Sequence, residues 1–228
     1  SESNKAIVEL SNHELTSYFQ DVPNVGDQIA TRVSSAIILS KIAEVTPALI
    51  GGSADLTGNT GTKISSFKPF SATEYSGRQI HFGIREHAMG AIAVGMCAGY
   101  GLRTFTGTFF VFSDYMKPAI RLAALNSLPV LFVFSHDSIG VGEDGPTHQP
   151  VVHLAALRAM PGVNVVRPSV PFETAAVIEN HFINADGPTI LITSRQNLPI
   201  LQNSAMRSRK AVSQGAYTLN DESDPQIT

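Results

Sequence analysis

Hydrophobic and polar positions follow two different rhythms along this chain, and the changes of rhythm mark its elements. Up to about residue 29 neither rhythm holds. The segment opening SESNKAIVEL is polar and weakly patterned, with a turn signal at Val22-Pro23-Asn24, so residues 1–28 read as a leader or linker. From Thr31 the texture changes: TRVSSAIILSKIAEVT sets Ile38, Ile42 and Val45 at helical spacing behind Thr31 as an N-cap. ALIGG reads as a short buried strand ending in glycines, and a loop rich in Gly, Ser and Thr follows from Ser53 to about Gly77. QIHFG is a strand. Glu86 to Gly101 is a helix, apolar all round and full of Ala and Gly, which predicts close packing and burial on every side. LRTFTGTF is a strand, and Tyr115 to Asn126 a helix whose true first turn falls at Pro118.

PVLFVFS is apolar nearly throughout, the mark of a strand covered on both faces. HDSIGVGEDGPTHQP is a long loop, VVHLAALRAM a helix and VNVVRP a strand. Ser169 and Pro171 open a further helix with Phe172, Ala175, Ile178 and Phe182 on one face, and PTILITS is a strand. Beyond Arg195 the pattern fades: MRSRK reads as a solvated linker, and GAYTLNDESDPQIT starts like a strand and stops. Strands that alternate with helices and read apolar throughout predict an α/β fold, three layers (α/β/α) around a mostly parallel sheet. Ligands of such sheets bind beyond the carboxyl ends of the strands. The chemistry is therefore expected in the loops after Gly52, Gly83, Thr108, Ser135 and Thr193.

Composition narrows the classes. Of 228 residues, 43% are hydrophobic and only 15% charged, so much of the surface is buried, within the chain or against a partner. The net charge of −3 argues against nucleic acid, which needs a clustered basic face. No signal peptide pattern opens the chain. The longest uncharged run, between Glu86 and Arg103, holds several glycines and falls short of the roughly 20 apolar residues of a membrane span. A soluble, cytoplasmic protein is expected. The single cysteine, Cys97, allows no internal disulfide and reads as a small buried hydrophobe.

The polar residues gather where the fold expects them: Asp55, then Arg85, Glu86 and His87, then Phe109, Phe112 and Tyr115, and Arg195 after the last strand. Each has an ordinary explanation. A Glu opening a helix complements the macrodipole, and aromatics at spacing three suit a core as well as a cofactor shelf. The fifteen-residue loop at 136–150 is harder to dismiss, with two His, three carboxylates and three glycines. His136, His148 and Asp144 could make a nitrogen/oxygen metal set, although the compact spacings of zinc motifs are missing. Equally, neutral His and carboxylates could hydrogen-bond a polyol and shuttle protons.

GGSADLT (51–57), GIREHAMG (83–90), GTFFVFSDY (107–115), HDSIGVGEDGPTHQP (136–150) and SRQNLP (194–199) together closely resemble the pyrimidine-binding domain of transketolases. The likeness covers roughly residues 29–200, giving a domain at 29–205 and, at 206–228, the start of a linker to a further domain. It implies transfer of a two-carbon ketol unit from a ketose phosphate to an aldose phosphate in the pentose phosphate pathway, with thiamine diphosphate. Glu86 then matches the glutamate that hydrogen-bonds N1′ of the aminopyrimidine, favouring the imino tautomer that deprotonates C2 of the thiazolium. Phe109, Phe112 and Tyr115 match the aromatic pocket and Asp55 a residue beside the cofactor. His136, Asp144 and His148 match sugar-facing residues, the two histidines as catalytic candidates. Arg32 and Arg195 match arginines that grip the substrate phosphate.

Two departures stand out. The family usually has Pro-Ser after ADLT; here Gly58 and Asn59 stand there, with Asn59 a possible substitute donor to the phosphate. The Gly-Asp-Gly and distant Asn that hold diphosphate and metal are not in this chain, since GEDG at 142–145 belongs to the sugar loop. The resemblance therefore implies that Mg2+ or Ca2+ is bound by a domain outside this chain. It also implies a homodimer in which the partner subunit's diphosphate-binding domain completes the site. The chain alone is expected to be inactive. A dihydroxyacetone synthase, transferring the ketol unit to formaldehyde, is the alternative within this chemistry. A non-catalytic assembly partner is the alternative outside it.

Overall fold

The computed structural model describes residues 26–201, 208 and 211–218. A two-residue strand β1 (Gln28–Ile29) leads into helix α1 (Thr31–Val45), followed by β2 (Leu49–Ser53), β3 (Gln79–His81), α2 (Glu86–Tyr100) and β4 (Arg103–Phe109). A 3-10 helix (Phe110–Tyr115) precedes α3 (Lys117–Leu125) and β5 (Val130–Ser135). The long loop carries two 3-10 turns, Gly142–Asp144 and Pro146–His148. Then come α4 (His153–Arg158), β6 (Asn164–Val166), α5 (Pro171–Asn184), β7 (Thr189–Thr193) and β8 (Leu198–Pro199).

Six strands make one sheet in the order β3-β2-β4-β5-β7-β6, and every pairing in it is parallel. Short β1 and β8 pair antiparallel in a separate ribbon. Strand β5 shows why its sequence is apolar throughout. Leu131 and Val133 pack on one side with Ile38, Leu39 and Ile42 of α1 and Ala175, Ile178 and Phe182 of α5. Val130, Phe132 and Phe134 pack on the other with Met89, Ala93 and Cys97 of α2 and Ile120 and Ala123 of α3. The side-chain period of two thus feeds two cores, and each large side chain so buried contributes roughly 1.5–3 kcal/mol. The layering is α/β/α, as expected, and Cys97 is buried in the second core. At the strand junctions space is short: a Cβ on Gly52 would collide with the Ile80 carbonyl, which fixes glycine there.

Four expectations are corrected. Helix α2 is not buried all round: the sheet and α3 cover one side, leaving Ile92 47% and Tyr100 82% exposed, with Ala91, Gly95, Ala98 and Gly99 on the same open side. Thr31 is not the N-cap; Ala30 is. The Thr31 hydroxyl instead accepts from the Ser194 amide at 2.8 Å, while its own amide donates to Ser194 Oγ at 3.0 Å, tying the start of α1 to the end of β7. The segment from Tyr115 is not one helix, because a 3-10 helix ends at Tyr115 and α3 begins at Lys117, with Pro118 in its first turn. Gly215–Thr218 does not form a strand; the Tyr217 hydroxyl donates to Glu173 Oε1 at 2.6 Å. The turn at 22–24, MRSRK apart from Ser208, and most of the proposed leader and linker lie outside the described residues. Among the described residues no helix is long and apolar enough to cross a membrane.

Candidate active site

Because the sheet is parallel, the carboxyl ends of its strands open on one edge, and five neighbouring strands deliver side chains there. Asp55 lies just past β2, Glu86 past β3, Phe109 ends β4, His136 follows β5 and Arg195 follows β7. Asp55 and His136 both have φ of 63°, in the left-handed region. For residues other than glycine that conformation costs about 1–2 kcal/mol, and such strain gathers at functional positions.

Glu86 is the first residue of α2 and only 8% exposed. Thr108 Oγ1 donates to its Oε1 at a long 3.5 Å, and no cation pairs with it among the described residues. The carboxylate instead borders a cavity of about 250 Å³, lined also by Asp55, Ile84, Phe109, Phe112 and His148. The aromatic wall follows from local geometry. A 3-10 helix has three residues per turn, so side chains at spacing three eclipse. Phe109 and Phe112 accordingly stack at 6.2 Å with an interplanar angle of 11°, and Phe112 and Tyr115 at 6.1 Å and 24°. Tyr115, 62% exposed, extends the column outward and does not line the cavity. A flat heterocycle fits such a slot, with the carboxylate at hand for a ring nitrogen.

The other half of the edge is cationic. Burial and the neighbouring Arg195 push Arg32 below the ordinary guanidinium value, and neither arginine forms an ion pair among the described residues. Arg32 Nη1 donates to the Asn59 carbonyl at 3.0 Å. The Arg195 guanidinium lies beside Gly142 of the long loop, where φ is +76° and an added Cβ would stand 3.3 Å from Nη2. His136 is 4% exposed, and its ring lies 3.7 Å from that of Phe109. Burial, then Arg32, hold His136 down to about 4 against the upward pull of Asp144, with Arg195 and His148 adding to the depression. The ring is neutral at pH 7. His148 turns its edge to Phe112 at 5.3 Å and Phe109 at 6.0 Å, and its Nδ1 shares a 2.8 Å hydrogen bond with Thr147. Asp144 is exposed. Asp137 serves the loop itself, since Arg167 Nε and Nη2 both donate to its Oδ2 at 2.7 Å and pin the loop's root.

The structure thus brings together Asp55, Glu86, Phe109, Phe112 and His148 in one cavity, and His136, Asp144, Arg32 and Arg195 beside it. Asn59 takes part through its carbonyl, which accepts from Arg32 and from Ser135 Oγ at 3.2 Å, while its side chain makes no hydrogen bond among the described residues. Sequence reasoning missed Thr108 and Ser135: Thr108 is one of three alternating threonines in β4, and Ser135 is a lone hydroxyl at the end of apolar β5. Among the described residues no group of three or more His, Cys, Asp or Glu is placed to hold a metal, so His136, His148 and Asp144 do not form the set considered above.

Residues 27–200 match the family described as transketolase, pyrimidine binding domain. This chain belongs to the transketolase family. It is 53% identical to the transketolase of Halalkalibacterium halodurans over 195 residues, covering 86% of this chain and 29% of that protein. With the transketolase of Dictyostelium discoideum it shares 46% over 216 residues, 93% of this chain and 32% of that protein. Among solved structures, transketolase from Leishmania mexicana matches with a TM-score of 0.85 and 43% identity, over 97% of this chain and 33% of that chain. Pichia stipitis transketolase in complex with sedoheptulose-7-phosphate matches with a TM-score of 0.83 and 40% identity, over 96% of this chain and 33% of that chain. The chain therefore spans about a third of the length of the transketolases it matches.

Proposed function

We propose that the protein to which this domain belongs transfers a two-carbon ketol unit from a ketose phosphate to an aldose phosphate, and that this domain holds the pyrimidine end of its thiamine diphosphate. One observation carries the reading: a buried carboxylate, Glu86, free of any described cation, borders a slot walled by the parallel rings of Phe109 and Phe112.

When bound, thiamine diphosphate supplies the electron sink on which the two-carbon unit is carried. Glu86 holds a proton between its carboxyl group and the pyrimidine nitrogen, a bond that burial strengthens. Phe109 and Phe112 keep the heterocycle flat and exclude water, with Tyr115 and Asp55 at the margin. His136 and His148 face the sugar hydroxyls and can accept or return a proton. Asp144 accepts from a hydroxyl near the reacting carbon, and Arg32 and Arg195 bind the phosphate through their forked donors.

The diphosphate and its divalent metal fall to residues outside this domain, which we assign to a partner subunit in a homodimer. The open side of α2 supports that assignment, together with an adjoining apolar groove of about 580 Å³ lined by Phe70, Ile80, Phe82, Ile92, Met96 and Tyr100. Low charge content has the same sense. A split-gene transketolase described as an inactive β4 tetramer matches this chain with a TM-score of 0.60 and 26% identity, which supports inactivity of the isolated domain. The test is Glu86→Gln in the full-length protein, with hydrogen exchange at C2 of bound thiamine diphosphate as the readout. Exchange is expected to fall by about 10²–10⁴-fold at an unchanged melting temperature. Unchanged exchange refutes the reading.

A further inference from the structure

The 3-10 helix Phe110–Tyr115 and its flanking residues present three ridges, because the repeat is three residues per turn. Phe109, Phe112 and Tyr115 form the aromatic column. Phe110, Ser113 and Met116 are buried beneath it. Asp114 stands on the third ridge, and its carboxylate is held from two sides. Lys117 Nζ donates to Oδ1 at 2.6 Å, and His153 Nε2 lies 3.0 Å from Oδ2. A carboxylate only accepts, so Nε2 is the donor. Burial pushes the Asp114 carboxyl up, but Lys117 and His153 outweigh it and hold the group below its ordinary value. The two ties differ in reach. Lys117 opens α3, three residues on, whereas His153 is the first residue of α4, five positions after His148 of the long loop. His153 is 6% exposed, its ring packs against that of Phe110 at 5.7 Å, and its Nδ1 is sealed without a partner among the described residues. An unsatisfied buried nitrogen is a cost that an apolar side chain would avoid; what the imidazole adds is the directed bond from Nε2.

We propose that His153 is a positioning residue for the aromatic wall: its bond to Asp114 ties the 3-10 helix to the far end of the long loop, so that Phe109 and Phe112 stand at one fixed distance from His148 and the slot is preformed for a flat heterocycle. Hydrogen bonds in a 3-10 helix are poorer than in an α-helix, so this one depends on tertiary ties for its rotation. The buried ridge fixes its depth, and Asp114 fixes its turn against α4. His148 meets the wall edge-on, at 5.3 Å from Phe112 and 6.0 Å from Phe109, so a shift of the loop end against the 3-10 helix changes the width of the slot. Without the tie the wall is competent only part of the time, and apparent affinity falls by that fraction. This deepens the reading that the slot takes the pyrimidine of thiamine diphosphate and, for the identity of the ligand, rests on it.

Two measurements on the full-length protein test the clamp. The first needs no ligand: 4-fluorophenylalanine is placed at Phe112 and its 19F signal is recorded in the cofactor-free protein. The wild type is expected to give one signal and His153→Leu a shifted or divided one. His153→Gln, whose amide nitrogen reaches the place of Nε2, is expected to restore the wild-type signal. The second is calorimetric titration with thiamine diphosphate and Mg2+, joined to steady-state kinetics at saturating cofactor. His153→Leu is expected to raise the cofactor Kd about tenfold, the worth of one hydrogen bond, with kcat and donor KM changed less than about twofold. Asp114→Ala should match it, and the double variant should be no worse than either single one. His153→Gln should recover most of the loss. Lys117→Ala, which removes only the local pair, should leave Kd within about twofold. An unchanged Kd or fluorine signal in His153→Leu, additive losses in the double variant, or a loss that His153→Gln does not recover overturns the proposal. So does a fall in kcat as large as the fall in affinity. The expected fluorine signatures in a protein that binds no thiamine diphosphate would sink the proposed function and leave the clamp standing.

Discussion

The two halves of the site are built on opposite charge logic. At one end a single carboxylate, Glu86, is buried among rings with no described cation beside it; at the other, Arg32 and Arg195 approach each other with no described carboxylate paired to either. A charge drawn out of water without an opposite charge is costly, fully so for buried Glu86 and in part for the half-buried arginines, so each half is an incomplete electrostatic unit. On the function proposed above, a ligand would supply what each lacks: a protonatable ring nitrogen at the first end and an anion at the second. Phe109 joins them, stacking on Phe112 along the cofactor wall and on His136 toward the arginines.

Removing one cation gives the largest effect expected at the second end. In the full-length protein, Arg195→Ala should raise KM for a phosphorylated donor about a hundredfold, as loss of a charge-assisted pair of hydrogen bonds costs about 2–3 kcal/mol. An unphosphorylated ketose should be affected severalfold at most. Equal losses for both substrates would mean that Arg195 shapes the loop at Gly142 and does not read phosphate.

Acid sharpens the comparison next. His136 titrates near 4 in the folded protein against an ordinary 6.5, because burial and Arg32 disfavour its charge. Above pH 6.5 both folded and unfolded chains hold it neutral, and its contribution to stability is complete. Between 6.5 and about 4 the unfolded chain binds the proton and the folded one does not, so stability falls with pH; below about 4 the loss stops. Its size is on the order of 1–2 kcal/mol, allowing for relaxation at the open side of the ring. Denaturant titrations of wild type and His136→Gln should therefore diverge across that window, with the variant flatter. Parallel curves would place His136 in a wetter, less cationic setting than its stacking on Phe109 implies.

What could be read from the sequence had a local cause. Glu86 opening a helix after a strand, and a strand such as PVLFVFS apolar on both faces, need only periodicity and the rule that parallel sheets bind at their carboxyl ends. The aromatic residues at 109, 112 and 115 were legible as a set but not as a column, since spacing three suits an α-helical core and a 3-10 turn equally. Thr31 looked like a cap because its competitor, Ser194, lies 163 residues away. The exposed side of α2 was hidden for a different reason: an apolar surface left uncovered has the same composition as a core. Ser135 was hidden by its place at the end of an apolar run, where a terminal hydroxyl reads as the strand's edge.

The smallest expected effect is the sharpest test of how the cationic end is organised. Asn59 stands where the transketolase pattern has a serine, and its side chain suggested a substitute donor. In the structure its carbonyl carries the contacts, from Arg32 and Ser135, and the side chain is exposed. Every residue supplies the same backbone carbonyl, so Asn59→Ala should change donor KM less than about twofold, within the ±0.5 kcal/mol usual for exposed substitutions. Asn59→Ser, which restores the family's hydroxyl, would tighten phosphate binding only if that position reaches the anion. A gain for phosphorylated donors alone would show that the anion extends past the two arginines to residue 59. A KM rise of tenfold in Asn59→Ala would show instead that the amide itself binds substrate, and the division of labour between carbonyl and guanidinium would have to be redrawn.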